Sequence, residues 1–154
     1  MITVFGSINM DLVATAQRLP RPGETVPGTG FATAAGGKGA NQALAATRAG
    51  RPVRMAGAVG NDTFAAPAVE LLRQASTELS QVKTVDGPTG TALIVVGGDG
   101  ENMITVVPGA NGSVSPADAE AAVSQLSAGD ILMLQFEVPA ESVERALELA
   151  RARG

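Results

Sequence analysis

A glycine-rich turn followed directly by helix-forming sequence is the feature that most constrains how this chain can fold. The segment Ala35-Gly36-Gly37-Lys38-Gly39-Ala40-Asn41-Gln42 places three glycines in four residues, and glycine is costly inside a helix. An alanine-rich run follows, and Gly50 is placed to end a helix there. The glycines are therefore predicted at a helix N-terminus, where free backbone N–H groups attract anions and electron-rich oxygens. Lys38 and Asn41 add polar side chains, which indicates a site for a polar small molecule.

Two common phosphate-binding loops do not fit the spacing of this turn. A Walker A loop needs Ser or Thr directly after its lysine, where this chain has Gly39. A dinucleotide fingerprint starting at Gly37 needs a small residue at position 42, where this chain has glutamine, and a strand leading directly into the turn. Neither condition is met. A turn that serves only tight packing is the alternative to a ligand site.

Residue types that are absent narrow the possible chemistry. The 154 residues suit one domain and contain neither cysteine nor histidine. Disulfides, zinc sites built from Cys and His, and catalytic triads with a histidine base are therefore excluded. Any catalysis must use acidic, basic or hydroxyl side chains, backbone donors, or a metal held by carboxylates.

Charge and hydropathy argue against nucleic-acid and membrane partners. The net charge is −4 and the four phenylalanines are the sole aromatic residues, so neither a basic patch nor stacking rings are expected. No apolar run approaches the length of a membrane span, and the first residues lack the basic start of a signal peptide. We expect a soluble, cytoplasmic protein.

Strand and helix patterns alternate along the chain, which predicts a mainly parallel α/β sheet. A buried first strand is expected at Ile2–Phe5, and further strands are expected at 53–59 and, from an apolar run, at 130–134. Asp62 is a candidate N-cap for a helix over about 64–74, and Ser115 for the next helix. The runs 91–96 and 103–107 predict a hairpin, hence a small inserted β-flap, whereas 25–33 is expected to be irregular or weakly extended.

Three polar residues outside the turn are further site candidates. Asn9 and Asp11 alternate with apolar residues, so a strand would aim both at one spot. Glu137 follows an apolar strand, at the end where open α/β sheets bind ligands. The alternatives are a polar stripe that faces solvent and a merely solvated glutamate.

Taken together, the motifs resemble the pfkB (ribokinase-like) carbohydrate kinase family, over essentially the whole chain. The matching stretches, in order, are Gly6-Ser7-Ile8-Asn9-Met10-Asp11, Pro22-Gly23-Glu24-Thr25, the glycine-rich turn, Ala58-Val59-Gly60-Asn61-Asp62, Thr89-Gly90-Thr91-Ala92-Leu93, Gly100-Glu101-Asn102, Pro108-Gly109-Ala110-Asn111 and Leu134-Gln135-Phe136-Glu137. The resemblance implies a three-layer αβα arrangement over residues 1–154, incomplete relative to the family. It also implies a β-lid with strands at about 12–33 and 91–107.

The resemblance also implies a substrate site for a sugar, specifically ribose. Residues that match those holding the sugar hydroxyls are Asn9, Asp11, Gly37, Lys38 and Asn41, with Gly36 shaping the loop and Glu137 contacting the sugar. Lid positions Ala92 and Val106 match residues beside the sugar. In this family the lid commonly forms a homodimer interface.

One departure from the family is large, because the chain matches only the N-terminal half of the pattern. The Gly-Ala-Gly-Asp motif that carries the catalytic base does not occur. We therefore expect no catalytic residue and no metal ligand in this chain. Mg-ATP and a monovalent cation would belong to a complete member, and a missing C-terminal half would be the partner that binds them.

Three functional hypotheses follow from that departure. The chain is the sugar-binding portion of an ATP-dependent ribose kinase that is inactive alone, a non-catalytic sugar-binding module, or a structural module that dimerises through its lid. Another pentose or a nucleoside is the alternative substrate.

Overall fold

Eight strands and four α-helices make up the computed structural model, which describes residues 1–153. In chain order they are β1 (Ile2–Phe5), β2 (Asn9–Ala16), β3 (Gly28–Gly36), α1 (Lys38–Arg48), β4 (Val53–Val59), α2 (Ala65–Gln74), β5 (Glu78–Thr84), β6 (Gly90–Val96), β7 (Asn102–Val107), a 3-10 turn (Gly109–Ser113), α3 (Pro116–Ser124), β8 (Ile131–Leu134) and α4 (Ala140–Ala152). The strands form two four-stranded sheets, which we call the main sheet and the lid sheet.

The main sheet is parallel throughout and has the order β5-β4-β1-β8. All seven residues of β4 are buried, as expected for a strand covered by helices on both faces. Strand β8 lies at one edge, where Ile131 is 55% exposed.

Helices cover both faces of the main sheet, which confirms the predicted three-layer arrangement. Successive residues of β1 point to opposite faces, so Val4 packs with α1 and α2, and Phe5 packs with α3 and α4. Two separate apolar cores result, one on each face of the sheet. No helix within residues 1–153 combines the length and the apolar character that crossing a membrane requires.

The lid sheet is mixed, with the order β3-β2-β6-β7. Strands β6 and β7 form the predicted antiparallel hairpin, and β2 pairs in parallel with β6. The lid strands lie at 9–16, 28–36, 90–96 and 102–107, against the expected 12–33 and 91–107. Strand β3 stands where an irregular or weakly extended segment was expected over 25–33. Its sequence pattern does not predict a strand, but pairing with β2 satisfies its backbone hydrogen-bonding groups.

Helix starts separate a correct capping prediction from a wrong one. Ser115 caps α3 with a complete capping box that includes Asp118. Asp62, in contrast, is not the N-cap of α2, which begins after Phe64. The Asp62 carboxylate accepts hydrogen bonds from the backbone N–H and hydroxyl of Thr89, at 3.0 and 2.7 Å, and so ties the start of α2 to the start of the lid hairpin.

Candidate functional site

The glycine-rich turn packs against the link between β1 and β2. Gly37 has a φ of 91°, which favours glycine, and it joins β3 directly to α1. A Cβ on Gly39 would lie 2.7 Å from the backbone N and O of Ser7, and one on Gly37 would lie 2.8 Å from the backbone N of Asn9. Glycine at these two positions therefore lets the start of α1 lie directly beside the start of β2. The strand that we did not expect before the turn is present, but it belongs to the lid sheet.

The N-terminus of α1 is closed by the protein itself, so the prediction of free N–H groups there is wrong. Lys38 N donates to Glu137 Oε2 at 3.0 Å, Gly39 N donates to Ser7 Oγ at 3.3 Å, and Ala40 N donates to Ser7 O at 2.9 Å. The carboxylate of Glu137 thus occupies the position that an external anion would take at the positive end of the helix dipole.

Glu137 is the centre of a polar cluster at the end of β8. Its carboxylate accepts a hydrogen bond from Ser7 Oγ at 2.7 Å and forms an ion pair with Lys38 Nζ. Burial by itself raises the pKa of Glu137, but the hydrogen bonds from Lys38 and Ser7, with the Lys38 charge, hold that pKa below its ordinary value. Glu137 is therefore ionised at neutral pH and connects α1 to the end of the main sheet.

Asn9 and Asp11 lie on one face of β2, as their spacing predicts. The Asp11 carboxylate lies over Gly36, in the space that a Cβ at that position would fill. Burial raises the pKa of Asp11, and the nearby negative charge of Glu137 raises it further. The strand register aligns Asp11 with Ala92 and Val106, so these two lid residues share its face.

A cleft of about 420 Å³ opens where the lid sheet meets the end of β8. Its polar lining comes from Asn9, Asn111 and Glu137, and its apolar lining includes Val106 and Phe136. This mixture of apolar walls with a few convergent polar groups is typical of small-molecule sites.

Of the seven predicted site residues, Asn9 and Glu137 line this cleft. Lys38 contacts Glu137, and Gly36 contacts Asp11, which shares the face of β2 with Asn9 but does not line the cleft. Gly37 forms the turn behind Asn9. Asn41 lies in the first turn of α1 and is exposed, and within residues 1–153 its side chain makes no hydrogen bond.

Two residues of the site were missed by the sequence reasoning. Ser7 lies in the link before β2, is fully buried, and donates a hydrogen bond to Glu137. Asn111, in the 3-10 turn, hydrogen bonds the Asn9 side chain. The signal for both was their place inside motifs of the family pattern, since neither has a periodicity that sets it apart.

Lys38 and the backbone donors of the glycine-rich turn are already paired within the protein. Within residues 1–153, no three acidic side chains come together in a group that could hold a metal ion. The amide donors of the glycine-rich turn are taken up by Ser7 and Glu137, and the charge of Lys38 is paired with Glu137. The arrangement suits neutral hydroxyl groups, which carboxylate and amide side chains bind through directional hydrogen bonds.

Comparison with known proteins supports the fold. The pfkB family carbohydrate kinase model matches residues 1–154. Ribokinase of Schizosaccharomyces pombe is 41% identical over 160 aligned positions, which cover 99% of this chain and 50% of that protein. Deoxyribokinase of Salmonella typhi is 35% identical, with 99% of this chain and 50% of that protein covered.

Solved structures agree with the sequence relatives. The structure of Arabidopsis thaliana ribokinase complexed with ribose and ATP superposes with a TM-score of 0.82 at 30% identity, covering 99% of this chain and 50% of that one. The chain therefore spans about half the length of the relatives that it matches.

Proposed function

The chain belongs to the pfkB family of carbohydrate kinases, and from that premise we propose that it is the ribose-binding portion of an ATP-dependent ribose kinase. The parent reaction is transfer of a phosphoryl group from ATP to ribose, giving ribose 5-phosphate and ADP. The observation that carries the proposal is the placement of Asn9 and Asp11 on one face of β2, beside the cleft that Glu137 lines.

The chemistry of these side chains suits vicinal hydroxyl groups. The Asp11 carboxylate accepts hydrogen bonds from hydroxyls, and the Asn9 amide can form a hydrogen bond with a neighbouring oxygen. Gly36 leaves room for the Asp11 carboxylate, and Gly37 lets the turn approach Asn9. Lys38 and Asn41 would contact the sugar from α1, and the lid face with Ala92 and Val106 would cover it and exclude water.

Phosphoryl transfer requires more than this chain holds. Catalysis of that step depends on positioning the nucleotide and on a base for the attacking hydroxyl. We propose that both come from the part of the family fold that this chain does not span, together with Mg-ATP and a monovalent cation. The edge strand β8, with its exposed Ile131, is where the main sheet could be extended by that part.

Calorimetry with ribose tests the binding proposal. We expect the purified chain to bind ribose, and Asp11→Ala to weaken binding roughly 10- to 150-fold, because a hydrogen bond to a charged group is worth about 1.5–3 kcal/mol. Glu144→Ala is the matched control, since it removes an exposed carboxylate on α4, away from the cleft. Equal ribose affinity of the Asp11→Ala and unsubstituted proteins would refute the site assignment.

A kinase assay tests the second half of the proposal. With ATP, magnesium and ribose, we expect no ADP production by this chain alone. If the chain does produce ADP, and Asp11→Ala abolishes that activity, then a base and a nucleotide site are present after all. Binding of 2-deoxyribose or of a nucleoside in preference to ribose would favour the alternative substrates.

The lid sheet also supports a proposal of homodimerisation. Phe31, Leu93 and Met103 lie on the lid face opposite Asp11, and each is between 49% and 69% exposed. An apolar face of this kind suits a second copy of the chain. Sedimentation should show a dimer that Leu93→Lys dissociates, whereas a concentration-independent monomer would exclude the dimer and also the purely structural lid hypothesis.

A further inference from the structure

Asn111 connects the backbone before β2 to the side chain of Asn9. It lies in the 3-10 turn that follows β7, and it is 1% exposed. Its Oδ1 accepts a hydrogen bond from Ile8 N at 2.9 Å, and its Nδ2 donates to Ile8 O at 3.1 Å. The same Nδ2 donates to Asn9 Oδ1 at 2.7 Å. Every hydrogen bond of the Asn111 side chain is therefore made within the protein.

The two bonds with Ile8 determine which way the Asn111 amide points. A backbone N–H can only donate and a backbone carbonyl can only accept, so the reversed amide would face each group with the wrong atom. Because Asn111 must present Nδ2 toward Asn9, the Asn9 atom that faces it must be the oxygen. The orientation of the Asn9 amide thus follows from the backbone of Ile8 and does not depend on a ligand.

The remaining polar atom of Asn9 is its Nδ2. Within residues 1–153, this nitrogen has no hydrogen-bond partner, and it is not enclosed as a buried unpaired atom. Asn9 is 3% exposed and lines the cleft, so its small accessible surface faces the place where a ligand would bind.

Gly90 provides the space in which the two amides meet. A Cβ at this position would overlap both Asn111 Nδ2 and Asn9 Oδ1. Gly90 is also paired with Asn9 in the β2–β6 ladder, so the lid strand and the amide pair are held together. The glycine is needed for close approach, since its backbone is not in the left-handed region.

We propose that Asn111 is a positioning residue that holds Asn9 as a hydrogen-bond donor toward the sugar. This inference rests on the proposed function for the identity of the ligand. Asp11, two residues along the same face, is an acceptor when ionised. The site therefore distinguishes two neighbouring ligand oxygens, because the one at Asn9 must accept and the one at Asp11 must be a hydroxyl that donates. A ligand with an ammonium group opposite Asn9 would be rejected.

The orientation can be tested without any sugar by NMR of the side-chain amide protons. In the ligand-free chain, we expect the Nδ2 protons of Asn111 to exchange slowly with water and those of Asn9 to exchange fast. Asn9→Ser and Asn111→Asp identify the two signals by their loss. Slow exchange of the Asn9 protons, or fast exchange of the Asn111 protons, would overturn the inference whether or not ribose binds.

A ribose titration provides the second arm of the test. The Asn9 amide protons should shift with the Kd that calorimetry gives, while the Asn111 protons stay unshifted. Asn111→Asp removes the donor, so the Asn9 amide should turn its nitrogen toward the new carboxylate and ribose affinity should fall about tenfold. Asn102→Asp, an exposed Asn-to-Asp change on β7, is the matched control and should leave affinity unchanged.

The two arms separate failure of this inference from failure of the proposed function. Absence of ribose binding by the unsubstituted chain would contradict the proposed function, and the exchange measurement would still decide the amide orientation. Undiminished ribose binding by a folded Asn111→Asp protein, or Asn9 protons that stay unshifted while calorimetry detects binding, would contradict the positioning role of Asn111.

Discussion

Gly36→Ala should weaken ribose binding by displacing one side chain, that of Asp11. Gly36 is not in the left-handed region, so alanine is compatible with its backbone. A Cβ there would lie 2.5 Å from both Cγ and Oδ1 of Asp11, well inside contact distance. The carboxylate must therefore move away, or strand β3 must shift. Because the atoms in the way are the end of one side chain, the loss of stability should lie at the low end of the roughly 1–3 kcal/mol that overpacking costs.

The effect on binding follows from the displaced carboxylate. If Asp11 contributes a charge-assisted hydrogen bond to the sugar, its displacement should weaken ribose binding roughly 10- to 150-fold. The same Gly36→Ala change in an Asp11→Ala background should cost almost nothing further, because no carboxylate then competes for the space. The two substitutions should thus be strongly non-additive, in stability as well as in affinity.

A double-mutant cycle measures this coupling. The unsubstituted chain, the two single variants and the double variant are compared by chemical denaturation and by calorimetry with ribose. Gly28→Ala, on the same strand, is the control, since its Cβ would lie 3.4 Å from Thr15 O, an ordinary contact. Additive losses of stability in the double variant would refute the argument that Gly36 is needed because of Asp11.

Three further predictions concern individual polar groups. Burial raises the pKa of Asp11, so its charged form opposes folding, and Asp11→Asn should raise the free energy of unfolding at neutral pH. This increase should shrink as the pH falls through the folded pKa of Asp11, and an increase that does not change with pH would contradict the prediction. Ionised Glu137 stabilises the fold above its unfolded pKa, and this stabilisation is lost as the pH falls through its lowered folded pKa. Lys38→Met should raise the folded pKa of Glu137, and an unchanged titration of the Glu137 carboxyl by NMR would contradict the role of Lys38 in lowering that pKa. Thr89→Val should lower unfolding free energy by about 1–3 kcal/mol, because a backbone N–H and the Asp62 carboxylate lose a partner, whereas an unchanged denaturation midpoint would show that these bonds are dispensable.

Local pattern in the sequence was sufficient for the frame of the fold. Apolar runs predicted the strands β1, β4 and β8, and the glycines between β-branched runs predicted the β6–β7 hairpin. The period of two along β2 predicted that Asn9 and Asp11 share a face. These features depend on residues close together in the chain, so composition and spacing determine them.

Edge strands were the part of the fold that local pattern could not supply. Strand β5 alternates polar and apolar residues only weakly, and β3 consists largely of small residues. Both lie at the edges of their sheets and gain their conformation from pairing with β4 and β2. Their strand structure is therefore a property of the assembled sheets.

The chemistry of the site was decided in the same way by tertiary contacts. The sequence places a glycine turn at a helix start and a glutamate after a strand, and it leaves the relation between them open. Only the folded chain brings Glu137 against Lys38, 99 residues away, which fills the helix N-terminus with an internal carboxylate. Asn111 likewise reaches Asn9 across 102 residues and gives its amide one direction. Hydrogen bonds between distant residues leave no periodic pattern in the sequence. The sequence therefore identifies the polar residues, whereas the tertiary structure is needed to decide which of their groups donate, accept or pair within the protein.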